Sequence, residues 1–362
     1  MFFIIPWDWF DDAKITISIS LPKLENVILR NKLYFYGDNP TSSQVKISIL
    51  IPVKDFDIVA LVHSMKSGMD NVKEFSEILI GDDGSSDEFR KSYHALAGGV
   101  VKIITAGKNI GRAAIRNRLI NEAKGDYLLF IDADTMIPGT AEAFLGKWLE
   151  YLPARRVICG GIIYNDTQPG DPDIYLRWKY GRKIEQKPAQ VRNKQPHASF
   201  STFNVLIDKT IFSRIRFYEE LKQYGHEDTL FGYQLKKAGI DVYHIDNGLV
   251  HEGIETNKVF LMKTKHAIEN LSKLYDNVTD KSTFRSTVPM LRSFMWLWTL
   301  HLTRIVAGLF IRYRDRMEIR LDSPDASLLL FRFYKLSMFC TYREIHRRRK
   351  ILPMFNIPPD II

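Results

Sequence analysis

Apolar residues fall in short runs set between polar, turn-rich stretches over most of this chain. Residues 45–53 (VKISILIPV) are long and apolar enough to predict a strand buried on both faces. Residues 57–69 carry apolar side chains at helical spacing, 77–80 predict a second strand and 100–105 a third. A helix is expected from residues 109–112 to about Lys124, where Gly125 stops it. Residues 127–131 (YLLFI) predict a fourth buried strand, and 140–151 another helix. Strands alternating with helices imply right-handed crossovers and a mainly parallel sheet.

The second half is less regular. Residues 157–164 predict a strand, 175–192 are basic and aromatic, and 203–207 are apolar. A helix opens at residues 224–228 and ends near Ala238, with Gly239 as its cap; a late strand follows over 241–245 and a long helix over 257–275. Residues 294–311 (FMWLWTLHLTRIVAGLFI) predict one helix with Arg285, Arg292, Thr299 and Thr303 on one face and a broad apolar face opposite. That pattern suits a helix lying in a membrane interface; a helix packed in a core is the competing reading. Residues 328–339 form a second apolar aromatic segment and 347–350 a basic cluster.

Residues 1–10 (MFFIIPWDWF) are apolar but too short to span a bilayer, and they lack the basic start and small-residue cleavage site of a signal peptide. Strand-like alternation over 16–20 and an aromatic run over 32–36 suggest an appended segment of no assignable chemistry. A polar linker over 37–43 closes it. The organisation expected is therefore an extension (1–44), an α/β domain (45–280) and a basic, apolar helical C-terminal region (281–362).

Composition sharpens this. The chain has 362 residues, 45% hydrophobic and 26% charged, which suits a packed core and argues against global disorder. Its two cysteines, Cys159 and Cys340, lie too far apart in sequence to suggest a disulfide framework or a metal knuckle, which fits a reducing cytosol. The net charge is +9, and residues 285–350 alone hold 14 Lys/Arg against 5 Asp/Glu. The excess is thus confined to the C-terminal region and points to an anionic partner. With no recognised RNA module present, an anionic membrane surface is favoured over nucleic acid. The place expected is the cytoplasmic face of the cell membrane, peripherally held.

Candidate chemistry sits at the strand ends. The fourth strand runs into Asp132 and Asp134, one residue apart and so on one side of an extended chain. Two close carboxylates repel unless a cation lies between them, which makes a plausible Mg²⁺ or Mn²⁺ seat. An acidic turn is the plainer alternative, since Pro138 and Gly139 follow. The first strand ends in Pro52-Val53-Lys54, the second in Asp82-Asp83-Gly84-Ser85-Ser86-Asp87, and a Gly111-Arg112 pair starts the next helix. In a doubly wound sheet these ends line one crevice. Carboxylate, guanidinium and divalent metal together suit a nucleoside diphosphate.

In the order SILIPVKDF, EILIGDDGSSD, NIGRAAIRNRLINEAKGDYLLFIDADT and GHEDTLFGYQLKKAGI, these motifs resemble family 2 glycosyltransferases of GT-A fold, from about Val45 to about Asn277. The resemblance implies a Rossmann-like α/β fold that binds nucleotide-diphospho-sugars, with a mainly parallel central sheet and a C-terminal amphipathic helical region added. It implies that Pro52 and Asp83 border the nucleobase, usually uracil, with Asp82 beside them. Arg112 or Arg116 would face the nucleotide. Asp132 would approach ribose and metal, Asp134 would ligate the metal, and His251 would complete its shell. Asp228 would be the general base, with Glu227 sharing that role or orienting the acceptor. For both acids, capping the helix they start is the plainer explanation.

Two departures stand out. The QxxRW motif of processive members is absent after Asp228, and His226 stands where many relatives carry a small residue. The activity implied is an inverting, Mn²⁺- or Mg²⁺-dependent, non-processive transfer. The implied donor is a nucleotide sugar, a UDP-sugar in such families, and the implied acceptor is a glycan or glycolipid of cell-surface polysaccharide synthesis. A nucleotidyltransferase on the same sheet, or a non-catalytic sugar- or lipid-binding scaffold, remains the alternative.

Overall fold

The computed structural model describes residues 45–221 and 224–351. The features expected over 1–44 and beyond 351 lie outside them. The elements in chain order are β1 (Ile47–Val53), α1 (Val59–Met69), β2 (Phe75–Asp82), α2 (Asp87–Leu96), β3 (Val101–Thr105), α3 (Arg112–Glu122), β4 (Tyr127–Ile131), β5 (Thr135–Met136) and α4 (Ala141–Leu149). Then come β6 (Val157–Cys159), β7 (Ile162–Ile163), α5 (Tyr175–Tyr180), α6 (Ala189–Arg192), β8 (Asn204–Asp208), α7 (Glu227–Lys237), β9 (Tyr243–His244) and β10 (Leu249–His251). Five helices follow: α8 (Asn257–Asn277), α9 (Lys281–Thr287), α10 (Pro289–Thr299), α11 (Thr303–Leu321) and α12 (Leu328–Ile351).

Seven strands form the main sheet in the order β3-β2-β1-β4-β8-β6-β9. The first four pair in parallel, whereas β8 runs antiparallel to both β4 and β6. Alternation along the strands divides the core in two. Ile47, Ile49 and Ile51 of β1 face α1 and α4, packing with Val62, Met65, Leu145 and Trp148. Leu50, Leu128 and Phe130 face the other way, against Leu119 and Ile120 of α3 and the rings of Phe212, Phe217 and Phe231. Both faces are covered, which is why these strands read as continuous apolar runs.

The strand expected over 157–164 is in fact two. β6 belongs to the main sheet, and β7 pairs with β10 in a second sheet of order β5-β10-β7. The break is at Gly160-Gly161. Gly161 has φ of 100°, and a Cβ on Gly160 would stand 2.5 Å from the Asn247 carbonyl oxygen. Only glycines let the chain step between sheets there.

The helix expected over 294–311 is likewise two, α10 and α11, bent by 113°. His301 has φ of 58°. Leu302 N donates to Leu297 O at 2.9 Å and His301 N to Trp298 O at 3.0 Å, the paired closure of a Schellman motif. The single-face alignment of Arg285, Arg292, Thr299 and Thr303 therefore does not exist: Arg285 lies on α9, and Thr303 is buried at the start of α11. These helices share a third apolar cluster, in which Leu261, Leu271 and Tyr275 of α8 join Phe284, Phe294, Val306, Phe310, Tyr334 and Phe339. Helices on either side of residue 280 are thus packed into one core.

Candidate active site

Three parallel strands bring their carboxyl ends to one edge, with Val53 beside Asp82 in register. Pro52 is partly exposed there. Asp82 is fully buried. One of its carboxylate oxygens accepts from Ser85 N at 2.8 Å, and the other lies 3.8 Å from Arg90 Nε. Asp83 accepts from Ile110 N at 2.6 Å and, through its second oxygen, from Gly111 N at 3.1 Å. Its carboxylate therefore ties the end of β2 to the loop that opens α3. Burial raises its pKa, and the two amides oppose that rise.

β4 delivers Asp132 and Asp134. Arg116 of α3 is buried, and its Nη2 donates to Asp132 Oδ1 at 2.8 Å. Burial pushes the Asp132 carboxyl up, with Arg116 and then Arg112 pulling against it. Of the two arginines expected to face a nucleotide, Arg116 is spent on this pair and Arg112 is the exposed one. Arg112 stands 5.0 Å over the Tyr224 ring. Desolvation of its guanidinium works against its charge, but Asp132, Tyr224, Glu227 and Asp134 together raise its pKa. One cation thus senses carboxylates from both halves of the crevice.

The small sheet brings in His251. Its partner in register is Thr135, and its Nε2 lies 3.4 Å from Asp134 Oδ2. The rings of Tyr164 and Phe203 pack on the imidazole with centroids at 5.3 and 5.6 Å. Burial would raise the Asp134 carboxyl, yet the hydrogen bond and charge of His251 hold it below the ordinary range. Sequence reasoning missed the residue that presses on this pair. A Cβ on Gly253 would stand 2.7 Å from Asp134 Cβ and 2.8 Å from its Oδ2. The signal available was a glycine two residues beyond His251.

Glu227 and Asp228 begin α7. The N-cap, His226, has φ of 70° and makes no side-chain cap. Asp228 does not cap its helix either. Its Oδ2 accepts from Thr202 N at 3.0 Å and Ser201 Oγ at 3.2 Å, and its Oδ1 from Thr202 Oγ1 at 2.8 Å. The next residue, Phe203, accepts from Asp132 N at 3.1 Å. Asp228 and Asp132 are therefore joined through three consecutive residues before β8, and share one crevice. Glu227 accepts from Gly225 N at 3.1 Å. Burial and then the charge of Asp228 raise its pKa. Nothing in the sequence marked Ser201 and Thr202.

Among the described residues, no three His, Cys, Asp or Glu side chains are gathered as ready metal ligands. Of the three ligands expected from the sequence, Asp134 and His251 are adjacent, and Asp132 is turned to Arg116. Neighbouring ligands around a small octahedral cation lie about 3 Å apart. The Asp134–His251 pair is close to that spacing, and carboxylate with imidazole fits a divalent first-row ion.

Comparison with known proteins agrees with this architecture. A family model described as Glycosyl transferase family 2 matches residues 48–216. That span holds Asp82, Asp83, Arg112, Arg116, Asp132 and Asp134, and stops short of Glu227, Asp228 and His251. The uncharacterized glycosyltransferase YkcC of Bacillus subtilis is 32% identical over 103 residues, 27% of this chain and 31% of that protein. The match thus spans about a third of that relative's length. Among solved structures, the mannosyltransferase PcManGT from Pyrobaculum calidifontis, in complex with GDP-Man and Mn²⁺, superposes with a TM-score of 0.51. It is 10% identical, and the alignment covers 87% of this chain and 89% of that one. That likeness is one of fold. The GT-A arrangement of the sheet and the acidic strand ends agree with that match: residues 48–216 carry the features that the family model described as Glycosyl transferase family 2 recognises.

Proposed function

We propose that the chain transfers a sugar from a nucleoside diphosphate, a UDP-sugar, to a hydroxyl of a glycan or glycolipid in cell-surface polysaccharide synthesis, with inversion at the anomeric carbon. The observation that carries this reading is the meeting at the end of β4 of Asp132, held by Arg116, and Asp134, beside His251, with Asp228 linked to Asp132 through residues 201–203. An exposed cation between carboxylates is what a diphosphate needs on arrival: Arg112 supplies charge-assisted donors, while Asp83 keeps the loop before it in place.

Asp134 and His251 would hold Mn²⁺ or Mg²⁺. When bound, the cation neutralises charge on the departing diphosphate, a Lewis-acid contribution. Arg116 fixes Asp132 at the same edge. Asp228 suits the role of base. Of the four lone-pair positions on its carboxylate, three accept from Ser201 and Thr202. The fourth, on Oδ1, is free to take a proton from an acceptor hydroxyl as the new bond forms. A base held this rigidly on one side of the anomeric carbon, with the diphosphate leaving from the other, inverts the centre. Glu227, kept protonated more readily by burial, would orient the acceptor. The absence of QxxRW supports a single transfer rather than polymer growth.

The test is a panel of nucleotide sugars, scored by thermal shift with and without Mn²⁺ and by product formation. A bound donor stabilises the native state, so the cognate one should raise the melting temperature in the presence of Mn²⁺. Asp228→Asn should keep that shift and lose transfer. Transfer by Asp228→Asn at the wild-type rate would remove the base from this mechanism, and no response to any nucleotide sugar would remove the reaction.

A further inference from the structure

The helical core leaves a set of large apolar side chains outside it, clustered at the bend between α10 and α11. Trp296 is 49% exposed, Leu300 47% and Ile305 60%, and Trp298 and Leu309 are exposed beside them. The opposite faces of these two helices are already satisfied: Phe294, Leu297, Val306 and Phe310 are buried in the shared cluster. The exposed set is therefore surplus to the core, and its contiguity marks an interaction surface. Its charge is one-sided. Residues 281–314 contain six Lys/Arg and no Asp or Glu. Arg304 lies next to Ile305, Arg347 stacks 5.4 Å over the Trp298 ring, and Arg312 lies two turns along α11 from Ile305.

We infer that this elbow is a wedge that enters the headgroup and outer acyl layer of an anionic bilayer. No single helix among the described residues is long and apolar enough to cross a membrane. The 113° bend turns α11 back toward the body of the protein, so an inserted elbow leaves both helix ends on one side. Tryptophans at the tip and arginines behind it match the order of acyl chain, interface and headgroup phosphate. Arg304 is paired with Glu344 at 3.5 Å, whereas Arg312 and Arg347 have no carboxylate partner among the described residues; unpaired arginine beside an apolar tip suits anionic lipid better than a protein partner. The inference goes beyond the transfer reaction and stands without it, since membrane partition can be measured whether or not any sugar is moved.

The experiment is co-sedimentation of the full chain with vesicles of phosphatidylcholine, alone or with phosphatidylglycerol, beside the variant Trp296→Ser/Leu300→Ser/Ile305→Ser. These side chains are exposed, so the variant should melt as wild type does. Wild-type protein should pellet with the anionic vesicles, and the triple variant should partition at least tenfold less. Arg304→Gln/Arg312→Gln should weaken the preference for anionic over neutral vesicles. Acyl-chain bromination should quench wild-type tryptophan fluorescence, and Trp296→Phe/Trp298→Phe should lose that quenching. Equal partition of the triple variant would overturn the proposal. So would a wild-type dimer that the triple variant dissolves while vesicle binding is unchanged, which would make the elbow an interface between two copies.

Discussion

The sheet region and the C-terminal helices dispose of their side chains in opposite ways. In the sheet, β1 and β4 bury every apolar residue but Pro52, and charge is concentrated at one edge, at the strand ends that carry Asp82, Asp83, Asp132 and Asp134. In the helices, charge is spread along exposed faces and the apolar residues overflow the core at the α10–α11 bend. A carboxylate cluster costs stability unless cations and hydrogen bonds hold it, and Arg116, Arg112 and His251 are there to do so. An exposed tryptophan costs water contact unless something covers it. Each region keeps an unfavourable feature, and each proposal rests on that feature: a nucleoside diphosphate at the sheet edge and a bilayer surface at the elbow.

The strongest challenge to this division is Asp134→Ala. Transfer should fall by about a thousandfold or more, the scale expected when an electrostatic group for the transition state is lost. The metal-dependent donor shift should vanish with it, and vesicle binding should not change. Loss of vesicle binding in Asp134→Ala would mean that the two regions do not act separately.

Next in size is Phe294→Ala. Phe294 is buried between Phe339, at 4.9 Å, and Trp298, at 5.9 Å. Its truncation should destabilise the protein by about 3–5 kcal/mol. Because α8 and the last helices share one cluster, chemical denaturation followed by circular dichroism and by donor binding should give coincident transitions. Two separated transitions would show that residues 281–351 melt alone, as a boundary near residue 280 predicts.

Much of this fold could be read from the chain, for reasons that differ by element. β1 and β4 are nearly continuous apolar runs because both faces are covered, so length identifies them, whereas β2 holds Ser76 and Glu77 and only its middle, 77–80, is legible. The acidic strand ends were visible because each carboxylate follows its strand directly. What could not be read depends on contacts between distant segments. His251 meets Asp134 only because β10 joins β5. Asp228 was open to a capping explanation until Thr202 and Ser201 were seen to hold it. The α10–α11 bend carries no Gly or Pro, and its left-handed residue is a histidine, so helical periodicity ran straight through it. The glycines at 160 and 161 were in plain view, and the step between sheets was the missing context.

Gly253→Ala probes the sheet edge with less force. The added methyl would meet Asp134 at 2.7 Å, with no room unless the carboxylate shifts. A displaced ligand should weaken Mn²⁺-dependent donor binding by about ten- to a hundredfold, the range found when the groups that orient metal ligands are disturbed. The melting temperature without donor should move far less. Unchanged donor affinity would mean that Asp134 has a second position of equal worth, and that the close approach of the 252–254 loop is incidental.

The smallest effect expected is in pH, and it too should separate the regions. His244 on β9 is buried, with Arg192 Nη1 at 2.8 Å from its Nδ1 and Pro196 O at 2.9 Å from its Nε2. A guanidinium can only donate, so Nδ1 accepts and the ring is neutral. Burial, opposed by the Pro196 hydrogen bond and reinforced by Arg192, lowers its pKa to about 4 from an ordinary 6.5. The unfolded chain therefore binds a proton in this window that the folded chain refuses. Stability is complete above pH 6.5 and is lost as pH falls toward 4, by at most about 1.4 kcal/mol per pH unit for this one group. His226, lowered to about 4 chiefly by burial, acts in the same sense where α7 begins. Among the helices, burial raises the Asp276 carboxyl, but Arg343 and His346 outweigh it and hold it below the ordinary range. That contribution is full at pH 5 and is lost only on further acidification. Hydrogen exchange at pH 5 should accordingly accelerate around β6 and β9 before it does in α8 and α12, and His244→Gln should flatten the slope of melting temperature against pH between 6.5 and 5. An unaltered slope would mean that His244 takes up its proton while folded, and the Arg192 contact described here would then have to open in solution.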